Sequence, residues 1–184
     1  MKPTNMKANI LAASTKLMAK QGIKNTSLSD IAKEVGISKG TLYYHYSSKD
    51  DIVCDMADMH LNIITNSLIE CLQNADFHSS TEEFVSVILN KISEIKNHGR
   101  IHMYLICEAV TSNEKLRERF KIKYIQWRKA LELEIKNTTS FKEDSFPISF
   151  LLISIVDGLV IQSLLKTEQI PYDEISRFLI TSLK

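Results

Sequence analysis

Arginine is absent from the first 99 residues of this 184-residue chain, and cysteine, glycine and proline are scarce throughout. Three Cys without a Cys-x-x-Cys spacing argue against a disulfide framework and against a structural zinc site. Five Gly and three Pro exclude collagen-like and turn-rich all-β designs. No long apolar run follows the first residues, so we expect no secretory signal. These absences predict a reduced, cytoplasmic protein.

The charge that is present is unevenly distributed. Residues 1 to 49 hold eight Lys against Asp30 and Glu34, a net charge of +6, whereas residues 50 to 184 carry a net charge of −5. A basic end on an acidic remainder is a weak indication of a nucleic-acid surface. A chance cluster of solvated lysines would give the same numbers, so charge alone does not decide between the two.

Apolar residues recur at helical spacing along nearly the whole chain, and alternating strand patterns are scarce. We therefore predict an all-α fold of about nine helices. They cover approximately residues 5–21, 28–35, 39–46, 48–74, 81–99, 101–110, 113–136, 147–166 and 171–183. Two Ser-x-x-Asp capping boxes, Ser27 with Asp30 and Ser48 with Asp51, mark the starts of the second and fourth helices. Gly22, Gly36 and Gly99 are expected to end helices.

One predicted helix is long enough to cross a bilayer. Phe146–Leu165 is a largely apolar stretch of twenty residues. Asp157 lies in its middle, at a cost of about 2.5–3.5 kcal/mol on insertion scales. We therefore predict a helix buried on more than one side within the protein, and no membrane partner.

The second and third helices, joined by residues 36–38, form a helix-turn-helix candidate. Leu42 and Tyr46, four residues apart, are expected to face the core. The opposite face carries Lys39, Gly40, Thr41, Tyr43, Tyr44 and His45. An ordinary solvated face would prefer Glu, Lys and Gln, whereas adjacent tyrosines and a histidine suit contacts with phosphates and thymine methyl groups.

Two further residues favour a DNA-binding interpretation. Gly40 costs about 1 kcal/mol of helix stability relative to Ala, which close approach of the backbone to a partner would explain. Lys49 lies at the start of the fourth helix, where the helix dipole favours anions. A lysine is mildly unfavourable there, unless a DNA phosphate binds to both the helix N-terminus and Lys49.

These features closely resemble the amino-terminal domain of TetR-family transcriptional repressors. The resemblance covers about the first 60 residues and rests on residues 10–14, Gly22, residues 26–32 and residues 36–49. It implies a helix-turn-helix DNA-binding domain over residues 1–49, with a long fourth helix leading into a ligand-sensing and dimerisation domain over residues 50–184. The DNA contacts it implies are Thr26, Ser27, Ser38, Lys39, Gly40, Thr41, Tyr43, Tyr44, His45 and Lys49. Tyr46 stands where the family usually has Phe and is still expected in the core.

The absence of arginine from residues 1–99 bears on which operator sequence the protein would bind. Arg to guanine is the commonest specific base contact, and Lys39 is the only cation well placed for it on the recognition helix. We therefore predict a double-stranded operator rich in A·T pairs. One helix-turn-helix reads too few base pairs to be selective, so a homodimer on a palindromic operator is expected.

The last two helices are the predicted dimer interface, and the resemblance implies a pocket for an apolar or amphipathic small-molecule inducer. The dimer candidates are Ile155, Leu159, Gln162, Ser163, Phe178, Leu179 and Ser182. The pocket candidates are Met56, Met59, His60, Ile63, Met103, Tyr104, Cys107, Glu108, Tyr124, Trp127, Leu131, Phe150, Ile153 and Asp157. Both sets would equally suit plain packing within one subunit. If buried, Asp157 and Glu108 would favour a cationic or hydrogen-bonding ligand, unless Arg100 or Arg128 pairs with them.

Other functional classes find less support. Three Cys and five His could supply catalytic groups, but nothing in the sequence places them together and no phosphate-loop or metalloprotease motif is present. His98 and His102 are four apart, but Gly99 is expected to interrupt the helix between them. The isolated Cys residues give a redox sensor no further support. We therefore predict no catalytic residues, no metal and no cofactor.

Overall fold

All regular structure in the described residues is helical. The computed structural model describes residues 6–74, 99–138 and 142–182. Its helices are α1 (Met6–Gln21), α2 (Leu28–Val35), α3 (Lys39–His45), α4 (Lys49–Asn74), α5 (99–111), α6 (Glu114–Thr138), α7 (Ser145–Leu165) and α8 (Tyr172–Ser182). The predicted all-α class is confirmed. The helix predicted between residues 81 and 99 lies outside the described residues, except for Gly99, which is itself helical.

Local hydrogen bonds fix the ends of the short amino-terminal helices. The Ser27 hydroxyl accepts from the Asp30 amide at 3.2 Å, and the Asp30 carboxylate accepts from the Ser27 amide at 2.9 Å. The Ser27 hydroxyl also donates to the Asp30 carboxylate at 2.7 Å, and this bond, followed by the one from the Ser27 amide, holds the pKa of Asp30 below its usual value. Gly36 ends α2 at φ 76°, a left-handed conformation that favours glycine. At the start of α4, the Asp51 amide donates to the Ser48 hydroxyl at 3.1 Å.

The buried stripe of α1 differs from the expected one. Ile10, Ser14 and Met18 are buried, whereas Ala13 and Leu17 are only partly covered. Ser14 is tolerated in the core because its hydroxyl donates to the Ile10 carbonyl at 2.7 Å. Because serine is polar, the sequence pattern did not indicate that position 14 belongs to the core.

The chain divides into two compact units. The first comprises Met1–Leu61 with Arg100–Phe120, and the second Asn62–Gly99 with Lys121–Lys184. In the first unit α1 packs on α2, and α2 packs on α3. The division into domains at residues 49 and 50 remains a prediction.

The core of the second unit is built from α6 and α7. Its buried residues are Leu131, Ile135, Ile148, Leu152, Leu159 and Val160. Gly99 is buried in the same unit, where an added Cβ would lie 3.3 Å from Val160 Cγ1 and 3.5 Å from Leu164. Close packing against α7 therefore explains this glycine better than a helix stop does.

Helix α7 is long and apolar enough to cross a membrane by length and composition. Only part of its surface is buried within the chain, because Phe146, Phe150, Leu151, Ile161 and Leu165 are exposed. The predicted burial on more than one side is thus not met within a single chain. Such a helix is weak evidence for a membrane span, since core helices of soluble proteins pass the same test.

Candidate nucleic-acid interface

Helix α3 presents a polar and aromatic face to solvent. Lys39, Gly40 and Thr41 are exposed at its start, and Tyr43 and Tyr44 are 55% and 85% exposed. Ser38 caps the helix by accepting from the Thr41 amide at 3.0 Å. The Tyr44 and His45 rings meet edge to face at 5.1 Å. A tyrosine with this exposure gains little from packing, so its ring and hydroxyl remain available to a partner.

The opposite face of α3 anchors it to the unit. Leu42 is fully buried and Tyr46 is nearly so, as predicted. The Tyr46 hydroxyl donates to Asp55 of α4 at 3.1 Å, and the Lys7 ammonium of α1 lies 4.9 Å above the Tyr46 ring. Burial, followed by the bond to Asp55, raises the pKa of the Tyr46 phenol. The recognition helix is therefore tied to both α1 and α4.

The space around Gly40 is open. A Cβ built there would meet only the Ser38 hydroxyl, at an ordinary contact distance of 3.7 Å. The positive-φ glycines of the chain are Gly22 and Gly36, so backbone conformation does not require glycine at position 40. Packing within the described residues therefore does not explain Gly40.

Two predicted DNA contacts also have roles within the protein. The Lys49 ammonium donates to the Ile23 carbonyl at 3.0 Å, which links the start of α4 to the loop after α1. Thr26 is 1% exposed, and its hydroxyl donates to the Gly22 carbonyl at 2.8 Å. Ser27 beside it is exposed. Thr26 thus shapes the loop before α2, while Lys49 keeps two further N–H groups for another acceptor.

Part of the positive charge of this unit is already paired. Lys16 donates to Glu34 at 2.6 Å, and Lys7 lies 3.8 Å from Asp55. Lys39 is exposed and forms no ion pair with any carboxylate in the described part of the chain. Lys39 is therefore a cation on the outward face of α3 that is available to an external anion.

The pocket candidates of the first unit differ in their exposure. Met56 and His60 are buried, Met103 and Glu108 are partly covered, and Met59, Tyr104 and Cys107 are exposed. His60 Nε2 lies 3.0 Å from His102 Nδ1, and burial lowers the pKa of His102 to about 4. Glu108 accepts from the Ser112 hydroxyl at 2.9 Å.

The pair His98 and His102, considered in the sequence as an alternative metal site and not predicted to be one, is described only in part. His98 lies outside the described residues, and His102 is bonded to His60. Within the described ranges, no group of three or more His, Cys, Asp or Glu is placed to hold a metal ion.

The second unit brings three pocket candidates together. The Tyr124 hydroxyl donates to both Asp157 oxygens at 3.1 Å, and the Tyr124 and Trp127 ring centroids lie 5.1 Å apart. The Trp127 indole donates to the Thr65 hydroxyl at 2.8 Å. Of the other candidates in this unit, Leu131 and Ile153 pack in the core, and Ile63 and Phe150 are exposed.

The predicted dimer residues are divided between core and surface. Leu159 is buried, and Ile155 and Leu179 pack against the core of their own unit. Gln162 is exposed, Phe178 is 69% exposed and Ser163 is partly covered, while the Ser182 side chain lies outside the described residues.

A different face of α7 is open. It carries Leu151, Ser154, Gly158, Ile161 and Leu165, which recur at helical spacing, and an added Cβ at Gly158 meets nothing within 4 Å. Apolar residues occur on every side of this helix, so no polar stripe in the sequence distinguishes this face from the buried one.

A capped helix pair whose second helix exposes its polar face defines a helix-turn-helix DNA-binding protein. Residues 10–56 match the family model described as "Bacterial regulatory proteins, tetR family". Over these residues the chain is similar to the DNA-binding domain of the tetR family, and its curated relatives are HTH-type transcriptional regulators.

The similarity to known regulators extends beyond the helix-turn-helix. The HTH-type transcriptional regulator LmrA of Bacillus subtilis is 25% identical over 178 residues, which cover 95% of each chain. A transcriptional regulator of Saccharomonospora viridis, solved in complex with choline, has a TM-score of 0.76 at 23% identity and covers 94% of this chain and 92% of its own. Bacillus subtilis FadR, solved in complex with stearoyl-CoA, has a TM-score of 0.74 at 16% identity and covers 96% of each chain. These relatives are regulators rather than enzymes.

Proposed function

We propose that this chain is a ligand-responsive repressor that binds a palindromic operator as a homodimer and leaves DNA when an inducer binds in residues 50–184. The observation that carries the proposal is the division of α3, where Leu42 and Tyr46 are buried while Lys39, Tyr43 and Tyr44 face solvent. A seven-residue helix with this face fits the major groove, with its first residues toward base edges. Cytoplasmic localisation follows from this role.

The operator is proposed to be rich in A·T pairs. Lys39 is the only Lys or Arg of α3, and residues 1–49 contain no arginine for guanine. The exposed tyrosines offer apolar ring edges to thymine methyl groups and hydroxyls to phosphates. Sequence preference would then come from Lys39, Thr41 and methyl contacts.

The homodimer is proposed to form through the open face of α7, and Phe178 of α8 is a further exposed apolar residue of the same unit. Leu151, Ile161 and Leu165 supply apolar contact area, and Gly158 lets a second helix approach closely. Exposed apolar residues in such number are typical of a surface that a partner covers. A second copy is the partner that two-fold operators require.

Ligand response is supported by the two structural relatives that hold choline and stearoyl-CoA. Helix α4 contributes residues to both compact units, so a ligand-dependent shift of α4 would change the separation of the two recognition helices. The ligand can shift this equilibrium only by its differential affinity for the two states.

Footprinting with DNA selected from random sequence tests the repressor function. We expect protection of two half-sites about one helical turn apart, about 34–36 Å, with A·T pairs prevailing at the contacted positions. A G·C-dense site would contradict the predicted base preference. Absence of protection on any selected DNA would contradict the repressor function itself.

Gly158→Leu tests the proposed dimer face. An added Cβ at this position meets nothing within 4 Å, so we expect the subunit to fold. Sedimentation equilibrium should show a dimer for the unchanged protein and a folded monomer for the variant. A dimer of unchanged affinity in Gly158→Leu would place the interface elsewhere.

A further inference from the structure

Asp157 is a carboxylate in an apolar helix, and its surroundings do not neutralise it. It lies in the middle of α7, flanked by Val156 and Gly158, and is only partly accessible. Among the described residues, its hydrogen bonds come from a single hydroxyl, that of Tyr124, which reaches both of its oxygens. One neutral donor compensates a buried carboxylate poorly, because several donors or a cation are normally needed.

The arginine one turn after Tyr124 on α6 is engaged with other groups. This residue, Arg128, donates to Glu132 at 2.8 Å and lies 4.7 Å and 5.0 Å above the Phe146 and Phe150 rings. In the described ranges, no Lys or Arg forms an ion pair with Asp157. Burial consequently raises the pKa of Asp157 to about 6.

Aromatic rings stand beside this carboxylate. Tyr124 touches Asp157 directly, and the Trp127 ring lies 5.1 Å from the Tyr124 ring at an angle of 45°. The Trp127 N–H is already used by Thr65, so what the indole offers a further partner is its π face. Tyr124 and Asp157 both keep partial exposure, whereas Trp127 is buried. A carboxylate in contact with one electron-rich ring, with a second ring next to the first, matches a positive charge on an apolar body.

We propose that Asp157, Tyr124 and Trp127 form a binding site for an organic cation, and that such a cation is the ligand class to which this regulator responds. The proposal rests on the ligand-responsive function proposed above and specifies its chemistry. The cation would provide the charge that Asp157 lacks and would lie against the aromatic rings. A purely apolar inducer would leave the carboxylate buried and uncompensated.

The test compares two probes that differ in charge and little in shape: choline and its uncharged carbon isostere 3,3-dimethylbutan-1-ol. Calorimetric titration of the full-length protein at pH 7.5 should show choline binding at least ten-fold more tightly than the neutral alcohol. Asp157→Asn should weaken choline binding at least ten-fold and remove the discrimination. Asp173→Asn, which changes an exposed acid on α8, is the matched control and should bind choline as the unchanged protein does.

Three results would overturn the proposal: equal binding of both probes, no binding of either probe, or discrimination that persists in Asp157→Asn. DNA binding is measured separately, without either probe. If DNA is bound and choline is not, the cation site is wrong and the DNA-binding function stands. If choline binds at Asp157 without releasing DNA, the cation site stands and the proposed release mechanism is wrong.

Discussion

The Tyr124 hydroxyl donates to both carboxylate oxygens of Asp157, at 3.1 Å each, and joins α6 to α7 inside one compact unit. Tyr124 is the titratable group that faces Asp157 in the described residues, and the Asp157 charge together with burial raises the Tyr124 pKa. Keeping Asp157 ionised in this partly buried position therefore costs free energy in the folded state.

That cost should appear as a pH dependence of stability. Because folding raises the pKa of Asp157 from 3.8 to about 6, its contribution favours the folded state below pH 4 and is lost as the pH rises to 6. Asp157→Asn lacks this loss, and Asn can still accept from Tyr124. The variant should therefore exceed the unchanged protein in unfolding free energy by about 1–3 kcal/mol at pH 7.5. Urea unfolding at pH 4 and pH 7.5 measures the difference, and an equal gap at both pH values would contradict it.

Gly40→Ala should separate DNA binding from folding. The added methyl meets only the Ser38 hydroxyl within the chain, and alanine favours the helix by up to about 1 kcal/mol. Thermal stability should therefore stay the same or rise. Operator affinity should fall at least ten-fold, because the methyl would stand between the backbone and DNA. Unchanged affinity in a fluorescence anisotropy titration would show that DNA does not approach α3 at Gly40.

Tyr46→Phe should have a small effect. The ring stays buried, and only the hydroxyl that donates to Asp55 is lost, a change worth about 0.5–1.5 kcal/mol. Leu42→Ala, which empties a fully buried position of the same helix, should cost about 2–5 kcal/mol. Denaturant unfolding compares the two variants. A larger loss in Tyr46→Phe than in Leu42→Ala would assign Tyr46 a role beyond packing and this one bond.

The sequence predicted the helix-turn-helix well because its signals are local. Ser27 and Asp30 are three residues apart, Gly36 donates to the Lys33 carbonyl three residues before it, and the spacing of Leu42 and Tyr46 identifies the inward face of α3. Ser14 was missed because a serine bonded to the preceding turn looks like a surface residue in the sequence.

Tertiary pairings could not be read in the same way. Nothing local indicates that Lys49 donates to Ile23, 26 residues away, or that Tyr124 donates to Asp157, 33 residues away. On α7, apolar residues surround the whole helix, so periodicity could not show that Leu159 faces inward and Leu165 outward.

The salt dependence of DNA binding in Lys39→Ala tests the central claim most directly. The Lys39 side chain is exposed and free of ion pairs in the described structure, so its removal should leave folding unchanged. Affinity for the selected operator should fall steeply with salt, with a log–log slope of about −0.9 per phosphate neutralised. Lys39→Ala should weaken operator binding and alter the sequence preference. If Lys39 also contacts a phosphate, the log–log slope should become less negative by about 0.9. Salt-insensitive binding, or a Lys39→Ala variant with unchanged affinity and preference, would contradict DNA recognition through α3.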